Sequence, residues 1–361
     1  MQRLRGSRQH NFARPDKRHV SPADARSAAK KSAGNHISWP RLGLFLVLLA
    51  LPGIALSWIH NSFPFVRPGY ELVVEDKARM AREGGIFAPG DSRRPRVAVF
   101  GSSVALSGFV PRLFEELSGG TVDAYNMGLP GSVLYFDQLE SLVRSGQKPT
   151  HVVVTNPWGG DDPPRGLALM FNDSALRDAV APFHDTPRDL VLFALRSRTA
   201  GGWAKLYDDT RHVLTALRED KGFHFIKSQS HYPNDALPDD FRLPSDRPDE
   251  VRWRTFHASG APFERLCRLA RDHGIKVLIV PRYLRRGEGA EPPAADTVAA
   301  EQLRAHPEIE VVGPTYWLLP PALFSDPTHT NPAGARDYTA RLWHLLAARL
   351  QAPASTVAAS R

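Results

Sequence analysis

From residue 96 onward, short apolar runs alternate with longer stretches in which apolar residues recur every three or four positions. Short continuous apolar runs are typical of strands that are buried on both faces, and the longer spacing is typical of helices. Five such runs begin at Arg96, Thr121, His151, Lys276 and Ile309. Strands that alternate with helices form parallel sheets covered on both faces, so the pattern predicts a three-layer α/β domain.

The helical stretches lie between these runs and after the last one. They cover residues 105–117, 133–144, 252–273 and 332–350, with a further stretch at 75–82 before the first strand. The long interval at about 161–248 predicts an insertion between the third and fourth strands, with helices at 188–196 and 203–218. The α/β domain is therefore expected to span residues 96–351, followed by a disordered tail at 352–361.

An uninterrupted apolar segment precedes this domain, because residues 42–59 contain no charge. At about 1.5 Å per residue, this run is long enough to cross a hydrocarbon core of about 30 Å. Trp39 and Trp58 flank the run, as Trp often does at membrane interfaces. A cleaved signal peptide is the alternative, but the preceding segment is long for one and residues 57–60 are a poor cleavage site. We therefore predict a transmembrane anchor at residues 42–60 and a linker at 61–95.

The positive charge of the chain is concentrated before the anchor. The 361 residues carry a net charge of +8, and the first 41 hold ten basic and two acidic residues. The remaining residues hold 36 of each, so a nucleic-acid face on the main domain is disfavoured. Basic flanks stay in the cytoplasm, which places residues 1–41 inside as a disordered tail. We expect a single-pass protein of the inner membrane with its C-terminal domain in the periplasm or outside the cell.

Cysteine and histidine spacing indicates no metal site. Cys267 is the one cysteine, and it lies in an apolar stripe of helical spacing, so we expect a buried thiol. No metal-ligand motif such as H-E-x-x-H and no phosphate-binding glycine loop is present, and we expect neither a metal nor a cofactor.

Polar residues follow three of the predicted strands, at the sheet edge where open α/β folds bind ligands. Ser103 follows the first strand, Gly131 follows the second, and Asn156 follows the third. The backbone N–H groups of Ser103 and Gly131 and the amide of Asn156 can donate hydrogen bonds to an oxyanion. These three residues are the candidate oxyanion hole.

An acid and a histidine lie three residues apart in the loop before the last predicted helix. The carboxylate of Asp326 can reach Nδ1 of His329 and leave Nε2 for a serine hydroxyl, which is a weak nucleophile without a base. The candidate catalytic residues are therefore Ser103, His329 and Asp326. The structural alternatives are a helix cap at the serines and a turn at Asp326, with His329 in solvent.

At these residues the chain resembles the SGNH (GDSL-like) hydrolase superfamily. Residues 97–103 resemble its first block, in which a strand runs into Gly-Asp-Ser, with Ser102 in place of the Asp. Residues 126–131 resemble the second block, residues 326–329 resemble the last block, Asp-x-x-His, and residues 155–158 depart from the third block, Gly-x-Asn-Asp. The resemblance implies a three-layer flavodoxin-like (SGNH) fold with about five parallel strands and Ser103 as the nucleophile.

Residues 101–105, Gly-Ser-Ser-Val-Ala, also approximate the G-x-S-x-G motif of α/β-hydrolases, in which the serine lies on a sharp turn. In that fold the nucleophile follows a strand in mid-sheet, and the acid and histidine come from separate loops. Here the serine follows the first strand and Asp326 precedes His329 by three residues. The order of the motifs therefore favours the SGNH interpretation.

More particularly, the Gly-Ser-Ser block and the single N-terminal span resemble the membrane-anchored SGNH-like O-acyltransferases of bacterial envelope polysaccharide modification. This resemblance implies a periplasm-facing serine O-acyl(acetyl)transferase or esterase that acts on an envelope or exported polysaccharide. It also implies a multi-span membrane acyltransferase as a partner. The alternatives are a catalytically inactive scaffold that binds a glycan or a partner, and a lipase-like esterase.

Two further residues are candidates for substrate binding. Trp158 follows the third strand and is expected either to stack on a sugar ring or to pack under the insertion. Arg282 follows the fourth strand and is expected either to bind an anionic glycan or to belong to an exposed basic loop at 281–286.

Overall fold

The computed structural model describes residues 38–66, 69–87, 94–130, 135–155, 185–225, 230–249 and 260–351. The chain divides into two units, and the first, which ends at Ala55, contains most of helix α1 (Trp39–Ser62). The stretch Trp39–Leu56 is long and apolar enough to cross a membrane, and none of it is buried. Residues 1–37 and 352–361, which hold most of the expected tails, lie outside the described residues.

The second unit contains the five parallel strands that the apolar runs predict. They are β1 (Arg96–Phe100), β2 (Asp123–Asn126), β3 (His151–Val154), β4 (Lys276–Ile279) and β6 (Ile309–Val311), in the spatial order β2-β1-β3-β4-β6. A second sheet, which the pattern does not predict, pairs β5 (Arg282–Arg285) with β7 (Tyr316–Leu319) in parallel. The five-stranded parallel sheet confirms the α/β class.

Helices cover both faces of the five-stranded sheet. In chain order, the described helices after α1 are α2 (Gly69–Glu83), α3 (Ser103–Gly108), α4 (Pro111–Leu117), α5 (Tyr135–Arg144), α6 (Asp185–Ala200), α7 (Trp203–Glu219), α8 (Ala261–His273), α9 (Thr297–Gln302) and α10 (Pro332–Gln351). On β1, Ala98 and Phe100 belong to a core shared with α5 and α8, whereas Val97 and Val99 belong to a core shared with α4 and α10. The alternation of side chains along a strand therefore supplies both cores.

The single helix expected at 105–117 is two short helices. Helix α3 ends at Gly108, and α4 begins at Pro111. Proline has no N–H to continue the helical hydrogen bonds, but it fits the first position of a new helix. The N–H of Val110 donates instead to Oγ1 of Thr339 at 2.9 Å, which joins the break to α10.

The segment 61–95, expected to be a linker, contains a helix that packs into the domain. Helix α2 is longer than the expected 75–82, and its Lys77 and Ala81 are fully buried. After the helix, the N–H groups of Ile86 and Phe87 donate to Oε1 of Gln147 at 2.8 and 3.2 Å. Residues 69–87 are therefore part of the α/β domain.

The expectation of an exposed basic loop at 281–286 is wrong for Arg285. This residue lies in β5 and is fully buried, with Nη2 at 2.8 Å from Oδ1 of Asp246 and the guanidinium 4.9 Å from the ring centroid of Phe241. Its acidic partner comes from the insertion, 39 residues earlier. The pairing is long-range, so the local charge pattern does not reveal it.

Candidate active site

Ser103 is the first residue of α3 and follows β1 after a two-residue turn. Ser102 is the helix cap, since its backbone is extended and its hydroxyl accepts a hydrogen bond from the N–H of Val104 at 3.4 Å. The capping role therefore belongs to Ser102. A Cβ at Gly101 would lie 2.4 Å from Oγ1 of Thr155, so this tight turn requires glycine.

Asp326 and His329 lie in the loop between β7 and α10. Oδ1 of Asp326 accepts hydrogen bonds from the N–H groups of Thr328 at 2.7 Å and His329 at 2.8 Å. Oδ2 lies 2.8 Å from Nδ1 of His329. One carboxylate oxygen therefore forms the turn while the other orients the imidazole.

The electrostatics of Asp326 fix the tautomer of the histidine. Burial raises the pKa of this carboxyl, but hydrogen bonds from the His329 side chain and from two backbone N–H groups outweigh burial and lower the pKa. The carboxylate is therefore ionised at neutral pH. An ionised carboxylate favours the tautomer of His329 with its proton on Nδ1, which leaves Nε2 as a hydrogen-bond acceptor.

The structure brings Ser103, His329 and Asp326 together. Nε2 of His329 lies 2.9 Å from Oγ of Ser103. Because Nδ1 holds the proton, the serine hydroxyl donates to Nε2. The arrangement is that of a Ser-His-Asp triad, in which the imidazole takes the serine proton during attack on an acyl carbon.

Buried hydroxyl groups, which the sequence pattern does not predict, hold the serine and histidine segments in place. Oγ of Ser107 donates to the carbonyl of Ser103 at 2.9 Å and lies 3.4 Å from the hydroxyl of Tyr283. Oγ1 of Thr330 lies 3.0 Å from the carbonyl of Ser107 and 3.3 Å from the Tyr283 hydroxyl. Thr330 directly follows His329, so the hydroxyl network joins α3 to the histidine loop. In the sequence, the signal for this network is the position of two hydroxyl residues: Ser107 lies one helical turn after Ser103, and Thr330 follows His329.

Asn126 fixes the loop after β2 against α3. It is fully buried, and Nδ2 donates to the carbonyls of Ala105 and Phe109, both at 2.8 Å. Its Oδ1 accepts from the N–H of Gly128 at 2.8 Å. A Cβ at Gly128 would lie 2.4 Å from the backbone nitrogen of Leu106, so glycine permits this close approach.

A buried lysine supports the same loop. Nζ of Lys77, on α2, donates to the carbonyl of Gly128 at 2.6 Å. Burial lowers the pKa of Lys77 well below its ordinary value, although the charge of Asp76 opposes this effect. The loop that follows β2 is therefore held from α2 on one side and from α3 on the other.

The remaining predicted site residues are not part of this geometry. Gly131, Asn156 and Trp158 lie outside the described residues. Ser103 is the first helical residue of α3, so its N–H has no acceptor within the helix. Arg282 is partly buried in β5, and burial lowers its pKa. The roles predicted for these residues toward the oxyanion or the substrate stay predictions.

A cluster of one cysteine, one histidine and one glutamate lies toward the amino ends of the strands, whereas Ser103 lies at their carboxyl ends. Among the described residues, Cys267, His306 and Glu308 place potential metal-ligand atoms within 4.8 Å of one another. Nη2 of Arg271 donates to Oε1 of Glu308 at 2.9 Å, so this carboxylate has a cationic partner in the protein. Burial raises the pKa of Cys267 to about 11, consistent with the buried thiol that the sequence predicts.

Comparison of the chain with protein-family models, curated proteins and solved structures gave no match. The described residues show an α/β domain with Ser103, His329 and Asp326 in contact at the end of its first strand.

Proposed function

We propose that this chain is an SGNH-type serine O-acyl(acetyl)transferase or esterase, anchored in the inner membrane, that acts on an envelope or exported polysaccharide. The observation that carries the proposal is the row of contacts from Ser103 to His329 and Asp326, at 2.9 and 2.8 Å. The strand order β2-β1-β3-β4-β6 agrees with a flavodoxin-like sheet, which binds ligands at the carboxyl ends of its strands. The resemblance of the sequence blocks supports the SGNH type.

The first half-reaction forms an acyl-enzyme. Oγ of Ser103 attacks the carbonyl carbon of an acyl ester while its proton moves to Nε2 of His329. The N–H of Ser103, together with the proposed donors Gly131 and Asn156, stabilises the oxyanion. The tetrahedral intermediate then breaks its bond to the leaving alkoxide, and His329 donates the proton to that oxygen. The charge of Asp326 stabilises the imidazolium in between.

The second half-reaction transfers the acyl group. A glycan hydroxyl or a water molecule attacks the acyl carbon while His329 takes its proton, and the bond to Ser103 breaks. The proton returns from Nε2 to Oγ of Ser103, which restores the free enzyme. A glycan acceptor gives a transferase and water gives an esterase, and neither route uses a cofactor.

The proposed location follows from the N-terminal part of the chain. Helix α1 contains an apolar stretch long enough to span a membrane, and the basic residues of the first 41 favour a cytoplasmic N-terminus. The domain is then on the periplasmic side, where it meets polysaccharide. A multi-span membrane acyltransferase is the proposed partner.

The proposal is tested with full-length protein in detergent, using p-nitrophenyl acetate and a fluorophosphonate probe. We expect ester hydrolysis and covalent labelling in the wild type, neither in Ser103→Ala, and hydrolysis lowered by about 10³-fold or more in His329→Ala. Ser141→Ala, on α5, is a serine control and should behave as the wild type. A folded wild-type protein that binds glycan but takes up no probe would instead support the inactive scaffold.

A further inference from the structure

The hairpin formed by α6 and α7 exposes an unusual number of large apolar side chains. Outside α1 and Phe63, the described residues have seven such side chains, and five lie on this hairpin. They are Val191, Leu192, Leu195, Trp203 and Tyr207. Scattered exposed apolar residues are normal, but their concentration on one element indicates an interaction surface.

Three exposed apolar residues of α6 share one face of the helix with Arg188, which pairs with Glu71 of α2. At about 100° per residue, Val191, Leu192 and Leu195 lie within one third of the helix circumference. Phe193 falls on the opposite side, and Asp189 lies between the two sides. Asp189 is fully buried, and Phe193 stacks edge-on against Phe65 with centroids 5.7 Å apart. Between residues 191 and 195, α6 therefore exposes apolar side chains on a face that would be polar in a helix in water.

A row of aromatic rings connects the hairpin with the end of α1. The ring centroids of Trp58 and Phe63 are 6.3 Å apart, those of Phe63 and Phe65 are 5.8 Å apart, and those of Phe65 and Tyr207 are 5.4 Å apart. Trp58 lies in the last two turns of α1 and is itself 65% exposed. The hairpin therefore lies close to the point where the apolar helix ends.

Two ion pairs hold the hairpin on α2. Arg188 of α6 pairs with Glu71 at 2.6 Å, and Arg218 of α7 pairs with Asp76 at 2.6 Å. The hairpin is therefore held to the domain through α2.

The segment after α7 contacts α3, the helix that begins with Ser103. The N–H of His224 donates to the carbonyl of Leu106, in α3, at 3.1 Å. The hairpin is thus connected to the helix that carries Ser103.

We propose that the α6–α7 hairpin lies in the interface of the membrane in which α1 is anchored, with Val191, Leu195 and Trp203 among the lipid headgroups and upper acyl chains. The inference rests on the anchor in the proposed function. A bilayer is the occupant because the aromatic row joins the hairpin to the last turns of the apolar helix, and Trp is favoured at membrane interfaces.

The charge of the hairpin indicates how it binds the membrane. The two helices carry six Lys or Arg residues and five Asp or Glu residues, so electrostatic attraction to anionic lipid is weak. Apolar insertion supplies the binding. Phosphatidylcholine without anionic lipid is therefore sufficient.

The test uses the full chain in phosphatidylcholine nanodiscs that contain a doxyl-labelled lipid, which quenches the fluorescent label NBD by contact. The label is attached to cysteine in Val191→Cys and, in a second variant, Leu195→Cys. Native Cys267 is buried and stays unlabelled. Val298→Cys is the matched control, because Val298 is an exposed valine on α9, 51% exposed against 61% for Val191. Leu46→Cys reports the insertion of α1.

We expect quenching at positions 191 and 195 to exceed that at 298 by at least about threefold, with strong quenching at 46. If quenching at positions 191 and 195 equals that at position 298, the inference is overturned. If position 46 is still quenched in that case, the membrane anchor of the proposed function is retained. Absence of quenching at 46 overturns the anchor and the inference together. If the hairpin instead docks on a protein partner, quenching at positions 191 and 195 equals that at position 298, because the nanodisc contains no partner. Fluorophosphonate labelling of Ser103 in the same samples tests the proposed chemistry separately.

Discussion

Nε2 of His329 lies 2.9 Å from Oγ of Ser103, although 226 positions separate the two residues. The parallel sheet explains the contact, because β1 carries Ser103 to the edge that the loop before α10 also reaches. Asp326 contacts the histidine from the other side, at 2.8 Å. Its effect on the serine is therefore exerted through the imidazole.

The first prediction concerns Asp326→Asn. Asparagine keeps the size of the side chain but removes its charge and permits the wrong tautomer of His329. We expect kcat for p-nitrophenyl acetate to fall by about 10²- to 10⁴-fold, with KM changed by less than about threefold. Steady-state kinetics of the full chain measure both constants.

The matched control is Asp337→Asn, on α10. Asp337 is partly exposed and pairs with Arg341 at 2.8 Å, so this variant should keep the wild-type kcat. A kcat in Asp326→Asn within about twofold of the wild type would remove this residue from the proposed mechanism.

The sequence predicts the features that are local along the chain. The five central strands are continuous apolar runs, and Asp326 and His329 are three residues apart, so their contact follows from one turn. The helix break at Pro111 could also be predicted, because proline has no N–H to continue a helix. The apolar spacing across residues 105–117, however, indicates one continuous helix.

Features that depend on long-range contacts cannot be predicted from local sequence patterns. Strand β5 contains two arginines, so its sequence resembles that of a surface loop. The structure shows that Asp246 is a buried partner for Arg285. The hydroxyls of Ser107 and Tyr283 are 176 residues apart, and only the folded sheet brings them together. Their role is visible in the structure alone.

The second prediction concerns Asp246→Ala. The substitution leaves the fully buried guanidinium of Arg285 without its carboxylate, and an unpaired buried charge is costly. We expect the free energy of unfolding of the full chain in detergent to fall by about 3–5 kcal/mol, measured by chemical denaturation. Asp240→Ala removes an exposed carboxylate from the same segment and should change the free energy by less than about 0.5 kcal/mol. Equal stability of the two variants would contradict the importance of the buried pair.

The third prediction concerns Asn126→Asp. Nδ2 of Asn126 donates to three backbone carbonyls, those of Ala105, Leu106 and Phe109. A carboxylate of the same size would face these oxygens with no proton to donate, so its burial is unfavourable. We expect a loss of about 3 kcal/mol or more in stability, together with slower fluorophosphonate labelling of Ser103, because α3 loses its support.

Asn234→Asp makes the same chemical change at an exposed position and is the control. It should leave stability and labelling as in the wild type. Loss of stability in Asn126→Asp with an unchanged labelling rate per folded molecule would show that Asn126 supports the fold and does not position α3.

The fourth prediction concerns the pH dependence of stability. Burial, with a contribution from the charge of Lys276, lowers the pKa of His151 from 6.5 to about 4. The unfolded chain therefore binds more protons than the folded chain between these values, so this stabilisation is complete above pH 6.5 and is lost as pH falls toward 4. Because His151 is only partly shielded from solvent, we expect about 2 kcal/mol of stability to be lost through this window. His151→Asn should flatten the curve of unfolding free energy against pH by that amount, and parallel curves would contradict the prediction.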